Sequence, residues 1–307
     1  MYLVYSPAYH INIGRHVFQT LKYELVHRRL GESGLRARCH EVAPEPASWD
    51  DLALVHTAEY LRKVREGDLT PTDLAELELP WSPEVVEGFR LMTGGTIRAA
   101  RLAIEHARGP HHRHTPTLAA HLGGGLHHAF ANHGEGFCLF NDVAVAIHVL
   151  RRDHRIDGAA IVDLDVHHGN GTAMIFDGDH AVFTFSMHQQ HNYPIFKPRG
   201  SLDIGLLDGT GDTTYLHMLA GALPKVFAFH PDIVFYLAGA DPYEDDQLGG
   251  LALTKGGLRQ RDRMVLQAAR AAGVPLVILL AGGYARRVED TVVIHCATIE
   301  EALAVRG

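Results

Sequence analysis

Short apolar runs alternate along this chain with segments whose apolar positions recur at helical spacing. Apolar runs bounded by turn residues are typical of buried strands, and six of them predict strands at 2–5, 117–122, 159–164, 181–186, 233–238 and 275–280. Five segments with a period near 3.6 residues predict helices at 17–29, 83–106, 142–152, 213–229 and 255–272. The alternation predicts an α/β protein with a central parallel sheet between helical layers, a three-layer αβα architecture.

The chain gives no sign of division into separate units. Its 307 residues contain no internal repeat, low-complexity linker or shift in composition, and 46% of them are hydrophobic. A chain of this size can bury one large core. We therefore expect a single domain over residues 1–307, with segments 6–15 and 68–81 at the rim of a pocket.

Composition excludes several classes of protein. No apolar run approaches the roughly 18 residues of a membrane span, and the N-terminus does not resemble a signal peptide, so we expect a soluble, cytoplasmic protein. Cys39, Cys138 and Cys296 are scattered and form no CxxC pair, which argues against a disulfide framework and fits a reducing compartment. The formal net charge of −8 argues against nucleic acid as a partner.

The 23 histidines have two explanations, metal chemistry or compositional bias. His111, His112 and His114 lie between two Gly/Pro-containing turns, where polar runs are usually exposed loops. A non-catalytic metal-buffering protein is therefore one hypothesis to weigh.

The segment at 163–171 (DLDVHHGNG) directly follows the apolar run at 158–162 (GAAIV), which is typical of a buried strand. Asp165 and His167 are two residues apart, so on an extended chain their side chains point to the same side. A carboxylate and an imidazole suit Zn²⁺ or a similar divalent ion. A capping aspartate and loop histidines are the ordinary alternative, but two acids and two histidines after one buried strand favour a metal site.

Polar groups also follow three other predicted strands. His127 and His128 come after three glycines, and a histidine pair beside a metal is a candidate general acid–base pair. Asp241 follows the strand at 233–238; a turn or cap is its common role, yet catalytic zinc usually has three protein ligands. Tyr284 follows the strand at 275–280 and either packs or directs its hydroxyl to a developing oxyanion.

Taken together, these motifs resemble the metal-dependent histone deacetylase family from Tyr2 to the C-terminus. Segments 55–61 (VHTAEYL), 134–142 (GEGFCLFND) and 208–212 (DGTGD) are also similar to that family. Segments 92–96 (MTGGT), 123–128 (GGGLHH) and 248–251 (LGGL) are most similar to its class IV type and the bacterial relatives of that type. The resemblance implies an arginase/deacetylase-type fold and zinc-dependent amide hydrolysis.

The resemblance also implies roles for the residues at the strand ends. Asp165, His167 and Asp241 would hold Zn²⁺, although Fe²⁺ accepts the same ligands. Tyr284 and the metal would polarise the acyl carbonyl, and the metal would lower the pKa of its bound water.

The two histidines would form the catalytic dyad. His128 would take the proton of the water and later protonate the leaving amine. His127, bonded to Asp163, would be its electrostatic and orienting partner. Asn170 stands where class I members carry an acid, and an amide stabilises imidazolium less than a carboxylate does. We therefore expect His128 to be less basic here.

Similarity further suggests a structural potassium ion and a substrate tunnel. Residues proposed for potassium, partly through carbonyl oxygens, are Asp163, Asp165, His167, Ser186 and Met187. The tunnel would include Gly136, with Phe137 and Tyr193 as walls around an aliphatic chain. Leu248 lies where a polyamine-selective relative uses a glutamate. An apolar residue at this position favours acyl-lysine over acetylpolyamine as the substrate.

We therefore interpret the sequence as a zinc-dependent deacylase that hydrolyses the amide of Nε-acyl-lysine, acetyl or longer, in peptides or proteins. A deacetylase of small acetylated amines such as acetylpolyamines is the nearest alternative. An arginase-like binuclear manganese hydrolase would need further carboxylates near His127 and His128. A metal buffer would need no polar residue at the ends of separate strands, where Asp241 and Tyr284 lie. The sequence leaves the acyl length and the oligomeric state open.

Overall fold

One sheet of eight parallel strands runs through the protein, as seen in a computed structural model that describes residues 1–107 and 117–306. Within these ranges the strand order is β2-β1-β3-β8-β7-β4-β5-β6. The strands are β1 (Tyr2–Val4), β2 (His40–Val42), β3 (Leu118–His121), β4 (Ala159–Asp163), β5 (Val182–Gln189), β6 (Leu202–Leu206), β7 (Ile233–Leu237) and β8 (Leu276–Leu279).

Helices cover the sheet in two layers, so the predicted three-layer αβα class is confirmed. One row packs α1 on α10, α10 on α9 and α9 on α8, while α5 packs on α6 and on β1, β3 and β8. The bounds are α1 (Leu21–Glu32), α2 (Trp49–Leu52), α3 (Ala58–Glu66), α4 (Pro71–Leu77), α5 (Pro83–Ala107), α6 (Asp142–Arg152), α7 (Asn170–Ile175), α8 (Asp212–Phe227), α9 (Lys255–Ala272) and α10 (Val288–Arg306).

The central strands are buried on both faces, which explains their continuous apolar sequences. Every residue of β3, β4, β7 and β8 is buried, as expected for a parallel sheet covered by helices. These four strands are also neighbours in the sheet. Their carboxyl ends therefore meet at one place on the sheet edge, where parallel sheets commonly place binding sites.

The elements absent from the sequence prediction include the two edge strands β2 and β6 and the long helix α10. Both strands lie at the edges of the sheet, and residues along β6 alternate between exposed and part-buried positions. Apolar residues are spread around α10 without a single apolar face. None of the three therefore produces the continuous apolar run or the amphipathic stripe used for prediction.

No helix within the described ranges has the length and apolar character needed to cross a bilayer. The histidine cluster at His111, His112 and His114 lies outside the described residues, so its expected exposure stays a prediction.

Candidate active site

The structure brings together the three side chains predicted to bind a metal. Ligand atoms of Asp165, His167 and Asp241 lie within 4.8 Å of one another, and all three residues are buried. His167 Nδ1 is 3.0 Å from Asp165 Oδ1 and 3.5 Å from Asp241 Oδ2. An Asp-His-Asp set of this kind suits Zn²⁺ or Fe²⁺.

A turn, and not an extended strand, aligns Asp165 with His167. β4 ends at Asp163, so the reason given from the sequence for their convergence was wrong. The backbone N–H of Asp165 donates to Asp163 Oδ1 at 3.1 Å, and the N–H of His167 donates to Asp165 Oδ1 at 3.0 Å. Side chains that accept from the backbone two residues ahead stabilise this kind of turn.

Asp241 has the less satisfied carboxylate of the two in this cluster. Its Oδ1 accepts from the N–H of Val166 at 2.9 Å, whereas its buried Oδ2 has no hydrogen-bond partner in the described part of the chain. Burial and the charge of Asp165 raise the pKa of Asp241 to about 7. A buried carboxylate oxygen without a partner is costly, and a divalent ion between the three ligands would satisfy it.

Gly282, in the turn after β8, closes the other side of the Asp-His-Asp cluster. Its N–H donates to Asp165 Oδ2 at 2.8 Å. A Cβ at this position would overlap Asp241 Oδ2. Only glycine lets the backbone approach both carboxylates this closely.

The two histidines after β3 have different electrostatic environments. His127 Nδ1 donates to Asp163 Oδ2 at 2.6 Å, and the Nε2 atoms of His127 and His128 are 3.1 Å apart. Burial alone would lower the pKa of His127, but the charges of Asp163 and Asp165 raise it to about 9. Burial and then the charges of His127 and His167 hold the pKa of His128 well below its usual value.

Tyr284 faces the same cavity from the turn after β8. Its backbone N–H donates to Asp246 Oδ2 at 2.6 Å. Burial and then the nearby carboxylates hold the pKa of its phenol well above the usual value. Its hydroxyl is therefore a proton-bearing hydrogen-bond donor at neutral pH.

Sequence reasoning missed two buried charges beside Tyr284. Asp246 also accepts from the N–H groups of Leu248 and Gly249 at 2.8 and 3.0 Å, so one carboxylate fixes two loops. Lys22 donates from Nζ to Ala281 O at 2.9 Å and lies 5.3 Å from the ring centre of Tyr284. Burial lowers the pKa of Lys22 to about 8. Neither residue belongs to a recognisable motif, because Asp246 lies 38 positions from Tyr284 and Lys22 lies 259 positions from Ala281.

A cavity of about 170 Å³ leads to this group of residues. Its lining includes all four predicted tunnel residues, and Glu78 and Asn192 in addition. The full set is Glu78, His128, Gly136, Phe137, His167, Asn192, Tyr193, Leu248 and Tyr284. A narrow space between aromatic rings suits an alkyl chain, since each ring contributes contact without polar groups.

The residues suggested for potassium lie on neighbouring strands. Asp163 in β4 pairs in register with Ser186 in β5, and Met187 follows Ser186. Both carboxylate oxygens of Asp163 already accept hydrogen bonds, and Ser186 Oγ is bonded to His188 Nδ1 at 2.9 Å. Backbone carbonyl oxygens would therefore have to supply part of any cation site here.

His168, which the sequence left without a role, lies outside the cavity lining. It is buried, packs its ring edge-to-face on His188, and has Nε2 3.4 Å from Asp203 Oδ1. The side chains of the adjacent residues His167 and His168 thus lie in different environments.

Comparisons with known proteins agree with this geometry. The family model described as the histone deacetylase domain matches residues 16–299. The chain is 41% identical to an uncharacterized protein of Picosynechococcus sp. over 95% of each chain. It is 33% identical to histone deacetylase 2 of Arabidopsis thaliana, over 94% of this chain and 77% of that protein.

A solved structure shares the fold. The crystal structure of the HD domain of HDA15 superposes with a TM-score of 0.81 over 99% of this chain and 88% of that chain, at 23% identity. The family match covers the ends of β3, β4, β7 and β8, where the polar residues converge. On this evidence the chain belongs to the histone deacetylase family and is a hydrolase that acts on amides.

Proposed function

We propose that this enzyme is a zinc-dependent deacylase that hydrolyses the amide of Nε-acyl-lysine in peptides or proteins. The observation that carries the proposal is a narrow cavity that passes Phe137 and Tyr193 and reaches His167, a member of the Asp-His-Asp cluster. A lysine side chain is an alkyl stem that gains contact between two rings, while its polar amide reaches the end of the cavity.

Asp165, His167 and Asp241 would hold the metal. When bound, the metal would polarise the acyl carbonyl and acidify a water molecule. Tyr284 supports the same carbonyl oxygen, because its protonated hydroxyl faces the cavity and can donate a hydrogen bond to developing negative charge. Carbonyl oxygens near Asp163, Ser186 and Met187 would bind the structural potassium ion.

The dyad divides the proton chemistry between two imidazoles. His128 is neutral and can accept a proton from water, then deliver it to the leaving amine. His127, charged through its bond to Asp163, stabilises negative charge that develops beside it. The opposite directions of the two pKa shifts support this assignment.

Replacing Tyr284 by Phe tests the proposal directly. Loss of one hydrogen-bond donor to the carbonyl oxygen lowers kcat by about 10²–10³-fold, and metal content should stay unchanged because Tyr284 is not a ligand. Hydrolysis of a fluorogenic acetyl-lysine peptide and metal analysis measure the two effects. The Tyr5→Phe change is the matched control, since Tyr5 stacks on His27 and does not line the cavity. Unchanged hydrolysis in Tyr284→Phe would rule out the mechanism.

Glu78 supports a second candidate, a deacetylase of small cationic amines. Its carboxylate lines the cavity, where it could attract the free ammonium group of an acetylpolyamine. Turnover of lysine peptides carrying acetyl to myristoyl groups, alongside acetylputrescine and acetylspermidine, separates the two functions. If the second is correct, Glu78→Gln raises KM for the acetylpolyamines and leaves KM for acetyl-lysine peptides unchanged. A Glu66→Gln variant, remote in the ion pair with Arg62, is the control.

A further inference from the structure

Glu135 lies directly behind the catalytic dyad, and the mechanism proposed above gives it no role. Its Oε1 accepts from Asn170 Nδ2 at 2.7 Å and from the Tyr193 hydroxyl at 2.8 Å. Its Oε2 lies 3.4 Å from His133 Nε2. One carboxylate therefore contacts both the residue behind His128 and a wall of the tunnel.

The backbone around Glu135 is fixed from several directions. The N–H of Glu135 donates to Cys138 O at 3.1 Å, and the next two N–H groups donate to the carbonyl oxygens of Glu76 and Leu77 at 3.1 and 2.9 Å. About a fifth of the Glu135 side chain is exposed (19%). The carboxylate is therefore held in place and largely shielded from solvent.

The charge of Glu135 determines how the Asn170 amide is oriented. A carboxylate accepts hydrogen bonds and donates none, so the NH₂ group of Asn170 must face Glu135. The amide oxygen of Asn170 then faces His128, whose Nδ1 lies 2.7 Å away. An amide oxygen only accepts, so His128 carries its proton on Nδ1 and its Nε2 is unprotonated and can act as the base.

Glu135 is also ionised in the folded protein. Burial would raise the pKa of its carboxyl, but hydrogen bonds from His133, Asn170 and Tyr193 lower it below its usual value. The amide of Asn170 thus lies between a negative charge and an imidazole. It transmits part of the stabilisation that an acid bonded directly to His128 would give.

We propose that Glu135 is a positioning residue for amide hydrolysis: it fixes the Asn170 amide, and through it His128, while its bond to Tyr193 ties the tunnel wall to the dyad. This inference rests on the proposed function of the site. It goes beyond that function because it assigns to Glu135 the orientation and stabilisation of His128 that the Asn170 amide cannot provide alone.

The first test is Glu135→Gln in the metal-loaded enzyme, assayed with a fluorogenic acetyl-lysine peptide. A glutamine can present its NH₂ group to Asn170 and allow the Asn170 amide to rotate. We expect kcat to fall about 10–100-fold while KM changes less than about threefold. An unchanged kcat would overturn the proposal. Glu66→Gln makes the same chemical change far from the cavity and should leave both constants unchanged.

The decisive test adds Asn170→Asp to both backgrounds. In the otherwise native protein this change places two carboxylates in contact, so kcat and the urea midpoint of unfolding should both fall. In Glu135→Gln the same change removes the conflict and bonds an acid directly to His128. There it should raise kcat relative to Glu135→Gln alone and should not lower the urea midpoint.

Additive effects of the two changes on both readouts would overturn the proposal, because independent residues do not reverse the sign of each other's effect. The urea midpoint does not depend on catalysis. Asn170→Asp could reverse the sign of its effect on the urea midpoint while the protein hydrolyses no acylated amine. That result would contradict the proposed function but support the coupling of Glu135 to Asn170. Activity with purely additive effects would contradict the role of Glu135 alone.

Discussion

At the scale of one residue, the buried carboxylate of Asp241 lowers the stability of the fold at the proposed metal site. It is completely buried, one of its oxygens has no hydrogen-bond partner among the described residues, and Asp165 repels it. Without a cation these features cost stability. A divalent ion held by the proposed ligands would recover this stability, because it would neutralise both carboxylates.

Replacing Asp241 by Asn separates these two effects. We expect the variant to lose most of its bound metal after dialysis, because an amide oxygen is a weaker, uncharged ligand. In the presence of a chelator its Tm should equal or exceed that of the unchanged protein, since one of two repelling charges is gone. Elemental analysis and thermal unfolding with and without chelator measure both.

The matched control is Asp177→Asn, which changes an exposed aspartate outside the cluster. It should alter neither metal content nor Tm. A metal content in Asp241→Asn equal to that of the control would contradict the assigned ligand set.

At the scale of elements, close packing decides where glycine is required in helices. The loop at 45–47 lies directly on α5, because the N–H of Ala47 donates to Arg90 O at 2.9 Å and Arg90 Nε donates to Ala47 O at 3.0 Å. A Cβ on Gly94 would overlap the carbonyl oxygen of Glu45. Gly221 in α8 is exposed, and a Cβ there would meet no atom within 4 Å.

We therefore predict opposite signs for the same substitution in the two helices. Gly94→Ala should lower the free energy of unfolding by about 1–3 kcal/mol, because the loop backbone has to move. Gly221→Ala should raise it by about 0.5–1 kcal/mol, because alanine loses less entropy in a helix. Urea unfolding measures both. Stabilisation by Gly94→Ala would show that the loop does not pack on α5 as described.

Prediction from sequence succeeded for elements that carry their own boundary signals. The bounds of α6 and α9 were predicted correctly because Asn141 and Thr254 accept from N–H groups in the first turn, and Gly273 ends α9 at φ +69°. The edge strands β2 and β6 have no such signals. Their pairing depends on the neighbouring strands β1 and β5.

At the scale of the whole molecule, buried neutral histidines connect separate parts of the fold. His121 bonds to the Tyr9 hydroxyl at 2.7 Å and to Thr96 Oγ1 at 3.0 Å. His56 Nε2 accepts from the N–H of Asn141 at 3.1 Å. Burial lowers the pKa of His121 to about 3 and that of His56 to about 4.

These shifts predict a loss of stability in mild acid. Below pH 6.5 the unfolded chain binds protons at both histidines, whereas the folded protein does not until pH 4 or lower, so the free energy of unfolding falls as pH falls. At pH 5 each histidine costs about 2 kcal/mol relative to neutral pH. Urea unfolding at pH 7.5 and pH 5.0 measures the loss.

Replacing His56 by Gln should reduce the difference between the two pH values, because Gln does not titrate and its amide oxygen can still accept from Asn141. His180→Gln, at an exposed histidine, should leave the difference unchanged. If the free energy of unfolding changed equally between pH 7.5 and pH 5.0 in the two variants, burial would not suppress the charge of His56.

The sequence by itself determined the α/β class, the central strands and the polar residues at their ends, because burial and turn chemistry are local properties. Their convergence was predictable, since the carboxyl ends of neighbouring parallel strands meet at one edge. Tertiary structure alone decided which charges support them. Lys22, Asp246 and Glu135 reach their partners across 259, 38 and 35 positions of sequence, and only the folded chain brings such groups within hydrogen-bond distance.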